Sequence, residues 1–242
     1  MSTWEFPASE PVELQVRVLD GDITVSAVAT QVATVTIEDD EGDEFLPGTR
    51  VEFDDGKLSV VGHGPLGLGH GSVAIRTELP EGSSCLVDTT SADVRCTGRL
   101  GALDVHTISG DVQAEQVSGL TRVDTASGDI ELGAVGQVRA ETASGEVRIA
   151  RAAGRLSVQT ASGDVRVAEA AGDQADVKSA SGDIRVAVAP GTGVYLDLSS
   201  LSGTVSSELE PAEDSGAAGL TLNCRSISGD VVVSRAAEPA TR

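Results

Sequence analysis

Residues 156–167 read Leu-Ser-Val-Gln-Thr-Ala-Ser-Gly-Asp-Val-Arg-Val, and this stretch decides the fold. Its Ser-Gly-Asp core returns along the chain, with Glu in place of Asp in one copy and with two degenerate copies. The serines of these copies are Ser91, Ser109, Ser127, Ser144, Ser162, Ser181, Ser202 and Ser228. They follow one another at intervals of 18, 18, 17, 18, 19, 21 and 26 residues. A period near 18 residues is typical of a solenoid, in which each repeat forms one coil.

Apolar and polar residues alternate on both sides of each turn, and this alternation predicts half-buried strands. The residue three positions after the serine is Val or Ile in every copy, as a pleated and packed surface favours. The second turns are rich in Gly and Ala and are too short for a helix. Strands of successive coils then pair in parallel at about 4.8 Å. The sequence therefore predicts an all-β fold, a single-stranded parallel β-helix (β-solenoid) with coils of about 18 residues, which we expect to be right-handed.

The chain is expected to form one continuous structural domain with three regions. Residues 1–83 form an irregular β cap, in which Asp20-Gly21-Asp22 resembles a repeat turn and Asp54-Asp55-Gly56 is a hairpin signal. This region includes an acidic loop near residues 38–44 and a Gly-rich loop over residues 62–71. Residues 84–235 hold the regular repeats, with an acidic insertion before a last coil that closes the array. Residues 236–242 are predicted to be a disordered tail.

The net charge of the chain limits the classes of molecule that it can bind. It has 38 acidic and 17 basic residues, for a formal net charge of −21. Nucleic acid and anionic lipid are disfavoured, because their binding depends on Lys and Arg. We expect protein partners, preferably with a cationic surface. No stretch reaches the roughly 18–20 apolar residues of a membrane span and no leader pattern opens the chain, so we expect a cytoplasmic protein. The oligomeric state is left open.

An acidic column follows from stacking the turns in register. Its clearest members are Asp111, Asp129, Glu146, Asp164 and Asp183. Neighbouring carboxylates repel one another, and a cation such as calcium would relieve this, so these residues are the candidate metal ligands. Arginines two residues after the turn acid can offset the same repulsion without a metal ion, by forming a lateral ladder of ion pairs on the outward face. These arginines are Arg95, Arg148, Arg166 and Arg185. We favour the ladder and predict no metal and no cofactor.

Other polar residues have structural interpretations. A hydroxyl column two residues before the serine faces inward, and we expect each hydroxyl to find a partner. Its members are Thr89, Thr107, Thr125, Thr142, Thr160, Ser179, Ser200 and Ser226. Cys85, Cys96 and Cys224 fall in apolar columns and are expected to be buried free thiols. His63 and His70 flank the Gly-rich loop without a third ligand in sequence, and His106 is expected to face solvent.

No nucleophile elbow, phosphate loop or His-Glu-x-x-His motif occurs in the sequence. The letters Gly62-x-Gly64-x-x-Gly67 match a dinucleotide fingerprint, but a strand pattern follows them rather than a helix. Exposed aromatics, which sugar-processing grooves usually carry, are scarce. We therefore predict no catalytic residues and no enzyme activity. A polysaccharide-active enzyme with paired carboxylates is kept as the third alternative.

The repeat Val-x-Thr-Ala-Ser-Gly-Asp-Val-x-Val resembles the bacterial "putative adhesin" or toastrack family, in an actinobacterial form. The residues that carry the resemblance are 123–132, 140–149, 158–167 and 177–186, together with the opening through Asp20-Gly21-Asp22-Ile23 and Glu78-Leu79-Pro80-Glu81-Gly82-Ser83. The resemblance implies a single-stranded β-helix without known catalytic residues, in a family linked to envelope-stress sensing, surface adhesion or scaffolding.

Two hypotheses of different classes follow. The leading one is a non-catalytic β-solenoid that serves as a binding or scaffold module and is linked to the cell-envelope stress response. The alternative is an exported adhesin or carbohydrate-binding protein, assisted by calcium.

Overall fold

The computed structural model describes residues 1–39, 49–62, 73–209 and 219–237. In this part of the chain nineteen strands form one sheet and there is no helix, so none that could cross a membrane. The strands are β1 (Ser2–Pro7), β2 (Glu13–Val28), β3 (Val32–Asp39), β4 (Arg50–Asp54), β5 (Lys57–Val61), β6 (Val73–Pro80), β7 (Ser84–Leu100), β8 (Ala102–Ser109), β9 (Val112–Ser127), β10 (Ile130–Ser144), β11 (Val147–Ala152), β12 (Leu156–Ser162), β13 (Val165–Ala170), β14 (Gln174–Ser181), β15 (Ile184–Val188), β16 (Val194–Ser202), β17 (Val205–Ser207), β18 (Leu220–Ser228) and β19 (Val231–Arg235).

Each regular coil contributes two strand segments, one before the Ser-Gly-Asp turn and one after it. We call the stacked segments the pre-turn wall and the post-turn wall. Successive coils pair in parallel with the predicted register, so that Val112 lies beside Ile130 and Ser127 beside Ser144. The all-β parallel solenoid predicted from the repeat is confirmed. The hand of the coil and the division at residue 83 stay predictions.

The core is a narrow double layer of inward-facing aliphatic side chains from the two walls. In the pre-turn wall, Val105, Val123 and Val158 are fully buried. In the post-turn wall, Ile130 and Val165 are buried to the same degree. Each such side chain contributes roughly 1.5–3 kcal/mol by leaving water. Because every coil repeats the same columns, the core continues from coil to coil without a gap.

The glycine of each Ser-Gly-Asp or Ser-Gly-Glu turn is required for two reasons. Its φ angle is positive, for example +142° at Gly163 and +154° at Gly128, a region that side chains with a Cβ resist. A Cβ on Gly163 would also lie 2.0 Å from the carbonyl oxygen of Gly145 in the neighbouring coil. The turns therefore stack backbone on backbone. Asp20-Gly21-Asp22 joins this stack, because Asp20 and Asp22 lie beside Ser91 and Asp93.

The order of the coils in space differs from their order in sequence at the C-terminal end. Strand β18 lies between β14 and β16, and β19 lies between β15 and β17, with all pairings parallel. Residues 220–235 therefore form the second-last coil, and residues 194–207 form the terminal one. The expectation that the last repeat in sequence closes the array is wrong, because the columns of both coils fit the same neighbours.

The N-terminal end also departs from chain order. Strand β2 lies between β7 on one side and β5 and β6 on the other. Strand β3 pairs with β6 in antiparallel fashion, and β1 pairs in the same way with β3. Strands β4 and β5 form the predicted hairpin, with positive φ angles of 46° at Asp55 and 75° at Gly56. The rings of Phe6 and Phe53 stack with centroids 5.2 Å apart and pack against the core.

Several expectations fall outside the described residues. They concern most of the acidic segment after Glu38, the Gly-rich loop with His63 and His70, the acidic insertion around Glu213, and the end of the C-terminal tail.

Candidate functional site

The acidic column at the turns bonds the coils to one another. The carboxylate of Asp93 accepts a hydrogen bond from the backbone N–H of Asp111 at 2.9 Å, and that of Asp111 accepts one from Asp129 at 2.8 Å. The carboxylate of Asp129 in turn accepts the N–H of Glu146 at 2.8 Å. Each acid thus holds the next coil through a charge-assisted bond to its backbone.

The same arrangement continues towards the C-terminal end. Asp164 accepts the N–H of Asp183 at 2.9 Å, and Asp183 accepts the N–H of Asp230 at 2.9 Å. Asp230 accepts the N–H of Thr204 at 2.8 Å, which joins the terminal coil to its neighbour. Glu146 is one methylene longer, and its carboxylate contacts the guanidinium groups of Arg148 and Arg166.

The second carboxylate oxygens face the predicted arginine ladder. Arg166 lies 3.1 Å from Asp164, and Arg185 lies 2.8 Å from Asp183. Arg95 departs from the prediction, because its Nε donates to the side chain of Gln113 at 3.1 Å in the next coil. Among the described residues no group of three or more His, Cys, Asp or Glu side chains is placed to hold a metal ion. At Asp164 and Asp183 both oxygens already have protein donors.

The hydroxyl column is buried as predicted in most coils, including Thr142 and Thr160. Some members have weak partners, such as the carbonyl of Gly182 for Ser226 at 3.4 Å. The expectation of a partner for every hydroxyl is wrong. Among the described members of this column, four hydroxyls have no hydrogen-bond partner: Thr125, Thr142, Thr160 and Ser179. The backbone groups around them are engaged in the ladder between coils, so these threonines act in the core mainly through a shape close to that of valine.

The outer face of the post-turn wall carries an apolar groove of about 670 Å³. Its floor is a column of small residues six positions after the repeat serine, Gly133, Ala150, Ala168 and Ala187. The arginine ladder forms one wall, with Arg148, Arg166 and Arg185 on consecutive coils. Two carboxylates, Glu115 and Glu131, lie at the end of the groove that points to the N-terminal coils. Because every coil adds one residue to the floor and one to the wall, the groove crosses the strands.

Sequence reasoning found the arginine wall of this groove but not its floor. The signal was present, since the column falls from Thr97 and Glu115 to Gly133, Ala150 and Ala168 while the column two positions earlier keeps long side chains. A small-residue column on an outward strand face opens a trough where the adjacent column on the same face keeps long side chains.

A comparison with known families agrees with the repeat and the fold. The Toastrack DUF4097 family model matches residues 6–234. The chain belongs to the toastrack family. No curated protein matches its sequence.

Two solved structures resemble this toastrack chain in fold. One is a "putative adhesin" from Bacteroides fragilis NCTC 9343, with 11% sequence identity, 96% of each chain covered and a TM-score of 0.51. The other is a "putative lipid binding protein" from Parabacteroides distasonis ATCC 8503, with 17% identity, 96% of each chain covered and a TM-score of 0.50. At these identities the likeness concerns the fold alone.

The pre-turn wall of the toastrack chain carries a second, more polar groove of about 620 Å³. His106 at its edge faces outward, as expected, but it is not merely solvated. Its Nε2 lies 3.2 Å from a carboxylate oxygen of Asp104 and its Nδ1 lies 3.2 Å from one of Asp124. These contacts connect two coils through their outward polar columns.

The three cysteines of the toastrack chain are free and buried, as predicted. The thiols of Cys85 and Cys96 share a hydrogen bond. This contact, together with burial, raises the pKa of the Cys85 thiol well above its usual range. Burial, with a smaller contribution from the charge of Asp176, raises the pKa of Cys224 to about 12. Thiols held protonated in this way are poor nucleophiles at neutral pH.

Proposed function

We propose that this toastrack solenoid is a non-catalytic binding or scaffold module that holds a protein partner in the groove of its post-turn wall. One observation carries the proposal, the apolar trough floored by Gly133, Ala150, Ala168 and Ala187. Concave apolar surface with a few polar groups at its rim is the usual form of a binding site. A rigid sheet also presents such a surface without a cost in conformational entropy.

Charge sets the kind of partner that we propose. The net charge of −21 attracts cationic proteins at long range and raises their association rate. Near the groove, the arginine charges are offset by turn acids such as Asp164 and Asp183. We therefore expect a basic protein whose contact segment places short apolar side chains on the alanine floor.

A non-catalytic role is consistent with the work done by the carboxylates near the groove. Glu115 accepts a hydrogen bond from the backbone N–H of Gly98 at 2.9 Å, so its side chain supports the fold. The turn acids hold the N–H groups of neighbouring coils in the same way. These carboxylates have structural roles that explain their regular spacing.

The test fills the floor of the groove with charge. Purified wild-type protein and an Ala150→Glu, Ala168→Glu variant would capture partners from native lysate, and the captured protein would then be purified and titrated by calorimetry. The matched control is Ala143→Glu, Ala161→Glu, which changes the same residue type on the same coils but on the pre-turn wall. We expect saturable binding by wild type and control, and at least a tenfold loss in the floor variant. Equal binding by all three proteins would remove the groove from the proposal.

A second candidate is an exported adhesin or carbohydrate-binding protein, assisted by calcium. The fold shared with the Bacteroides fragilis "putative adhesin" and the acidic column of the turns favour it. It predicts protein on the cell surface and a melting temperature that rises with calcium. Recovery from the cytosolic fraction alone, with an unchanged melting temperature in millimolar calcium, would rule it out and would support the cytoplasmic location that we propose.

The link to the cell-envelope stress response is part of the proposal and rests on the family resemblance. It predicts that deletion of the reading frame alters the transcriptional response to a cell-wall inhibitor. Complementation with the wild type, but not with the groove variant, would connect that response to the proposed binding site. An unchanged response in the deletion strain would separate this protein from envelope stress.

A further inference from the structure

The terminal coil, residues 194–207, is the least covered part of the core. Within the described residues, β16 pairs only with β18, and β17 only with β19, so their outer edges present unpaired backbone groups. Val194, Leu196 and Leu198 face inward like their neighbours but are only half-buried. The matching residues of β18 are fully buried. A strand added to this edge would complete both the hydrogen bonding and the core.

The edge carries few of the features that normally prevent strand addition. Charged side chains and proline are the usual protection of an exposed edge. Strand β16 has one charged residue in nine, Asp197, and its carboxylate is bonded to Arg225 of the adjacent strand at 3.0 Å. Two large apolar side chains stand on its outward face, Tyr195 with 70% and Leu201 with 84% of their surface exposed.

The N-terminal edges are protected by comparison. Strand β4 is Arg-Val-Glu-Phe-Asp, with charges at three of its five positions. Strand β1 contains Glu5 and ends at Pro7, which lacks the N–H that a partner strand needs. Head-to-tail stacking of one chain on the next is therefore disfavoured, and the C-terminal edge needs a different occupant.

The sequence of β16 is complementary to itself in the antiparallel direction. If two copies pair with Leu198 opposite Leu198, the residues on the outward face match in polarity, while on the inward face Val194 and Leu196 lie opposite serines. The opposed pairs are then Val194 with Ser202, Tyr195 with Leu201, Leu196 with Ser200, and Asp197 with Ser199. Both exposed apolar residues are covered, each by the other, and no like charges are opposed. The inward columns of the two copies also meet on the same side.

The turn chemistry favours another parallel coil less at this edge than elsewhere in the solenoid. In the regular coils the turn aspartates accept the N–H of the following turn, as Asp230 does for Thr204. The terminal turn is Ser202-Gly203-Thr204 and has no carboxylate to offer. An antiparallel strand needs none. We infer that the protein forms a two-fold symmetric dimer through antiparallel pairing of β16, which joins two solenoids end to end.

The experiment measures the oligomeric state of the full chain by sedimentation equilibrium at several salt concentrations. We expect a dimer that tightens as salt is raised, because two chains of charge −21 repel one another at low salt. Leu201→Lys should weaken association about 100-fold, since each dimer would bury two lysines against tyrosine rings. The matched control is Ile227→Lys, which changes the residue beside Leu201 on β18, one strand away from the edge. We expect the control to dimerise like the wild type.

A second measurement tests the register. Only a residue on the two-fold axis can cross-link to itself. In a Cys224→Val background, which removes the thiol beside position 198, oxidation of Leu198→Cys should give a covalent dimer, whereas Leu196→Cys in the same background should not. The circular dichroism spectrum of each variant shows whether it has folded.

Three results would overturn the inference. One is a monomer at all salt and protein concentrations. Another is a dimer that persists in Leu201→Lys. The third is slow hydrogen exchange, in the monomer, of the β16 N–H groups that point away from β18. It would show that another segment of the same chain already covers the edge.

Discussion

The coil formed by residues 220–235 and the coil formed by residues 194–207 are built on the same pattern but differ in burial. Leu222 and Val231 of the first are fully buried, whereas their neighbours Leu196 and Val205 in the second are half-buried and 41% exposed. The first is held on both sides by parallel strands, and the second on one side among the described residues. The contrast shows that a repeat acquires its stability from its neighbours rather than from its own sequence.

This difference sets how strongly each coil should respond to the same change. A substitution in the inner coil disturbs two interfaces that have no room to adjust. The same substitution in the terminal coil disturbs one interface, and the backbone can move outward. Paired variants in the two coils therefore measure the contribution of the second neighbour directly.

The largest effect is expected at the turn glycines. Gly229 has a φ angle of +146°, and a Cβ there would lie 2.2 Å from the carbonyl oxygen of Gly182. Gly229→Ala should lower the free energy of unfolding by about 4 kcal/mol, from backbone strain and overpacking together. A Cβ on Gly203 would lie 2.2 Å from the carbonyl oxygen of Gly229, but Gly203 has no positive φ angle and its turn can move away. Gly203→Ala should therefore cost about 1–2 kcal/mol. Urea denaturation of both variants gives the comparison, and equal losses would contradict it.

The aliphatic columns should show the next largest difference. Leu222→Ala removes a fully buried side chain between two coils and should cost about 3 kcal/mol. Leu196→Ala should cost about 1 kcal/mol, because the side chain is already partly in water. Both are measured by urea denaturation at low protein concentration and low salt, where association through β16 is weakest. A loss at Leu196 as large as that at Leu222 would mean that the terminal coil is covered.

Of these two coils, the inner one contains the buried thiol that should make stability fall at alkaline pH. Cys224 is the neighbour of Leu198, and burial raises its pKa to about 12 from a value of 9.0 in the unfolded chain. Its contribution to stability is complete below pH 9 and is lost as the pH rises towards 12, because only the unfolded chain then releases the proton. At pH 10 the wild type should lose on the order of 1 kcal/mol relative to Cys224→Val. Denaturation curves at pH 8 and pH 10 test this, and parallel changes in the two proteins would refute it.

The smallest effect is expected at the ion pair between the two coils. Arg225 and Asp197 lie 3.0 Å apart, and both side chains are about half exposed. Arg225→Ala should cost about 0.5 kcal/mol, and the loss should disappear in 0.5 M salt. Arg50→Ala, which removes a more exposed pair with Glu52 in the N-terminal hairpin, is the control. A cost above about 2 kcal/mol at Arg225 would show that this pair, rather than packing, holds the terminal coil.

The sequence was sufficient to predict the coil and the position of most of its residue columns. The Ser-Gly-Asp period predicted the stacked turns, the inward Val and Ile columns and the burial of Cys96, because these depend only on contacts between equivalent residues of adjacent coils. The arginine ladder was also predictable at Arg166 and Arg185, since acid and arginine lie two positions apart on one strand face.

The order of the coils was not predictable, because the columns of β16 and β18 are interchangeable in size and polarity. Two residues nevertheless mark the terminal coil in the sequence. Thr204 stands where other turns have an acid, and Ser207 stands where other coils have an apolar residue. A coil with no following neighbour needs neither a carboxylate for the next N–H nor a full core column. The floor of the groove escaped prediction for a similar reason, because its depth depends on the arginines of three separate coils.

The insertion of β18 between β14 and β16 has a consequence for how the chain is made. A ribosome releases β16 before β18, although β16 has its final partner only in β18. While the last residues are still being synthesised, β16 can pair with β14, because it has the same alternation of inward apolar and outward polar side chains as β18. In the nascent chain, β16 must therefore either stay unpaired until β18 is made or pair with β14 and later dissociate from it. A protein truncated before Leu220 would retain that provisional pairing, with every side chain on the correct face and the wrong strand at the end of the solenoid.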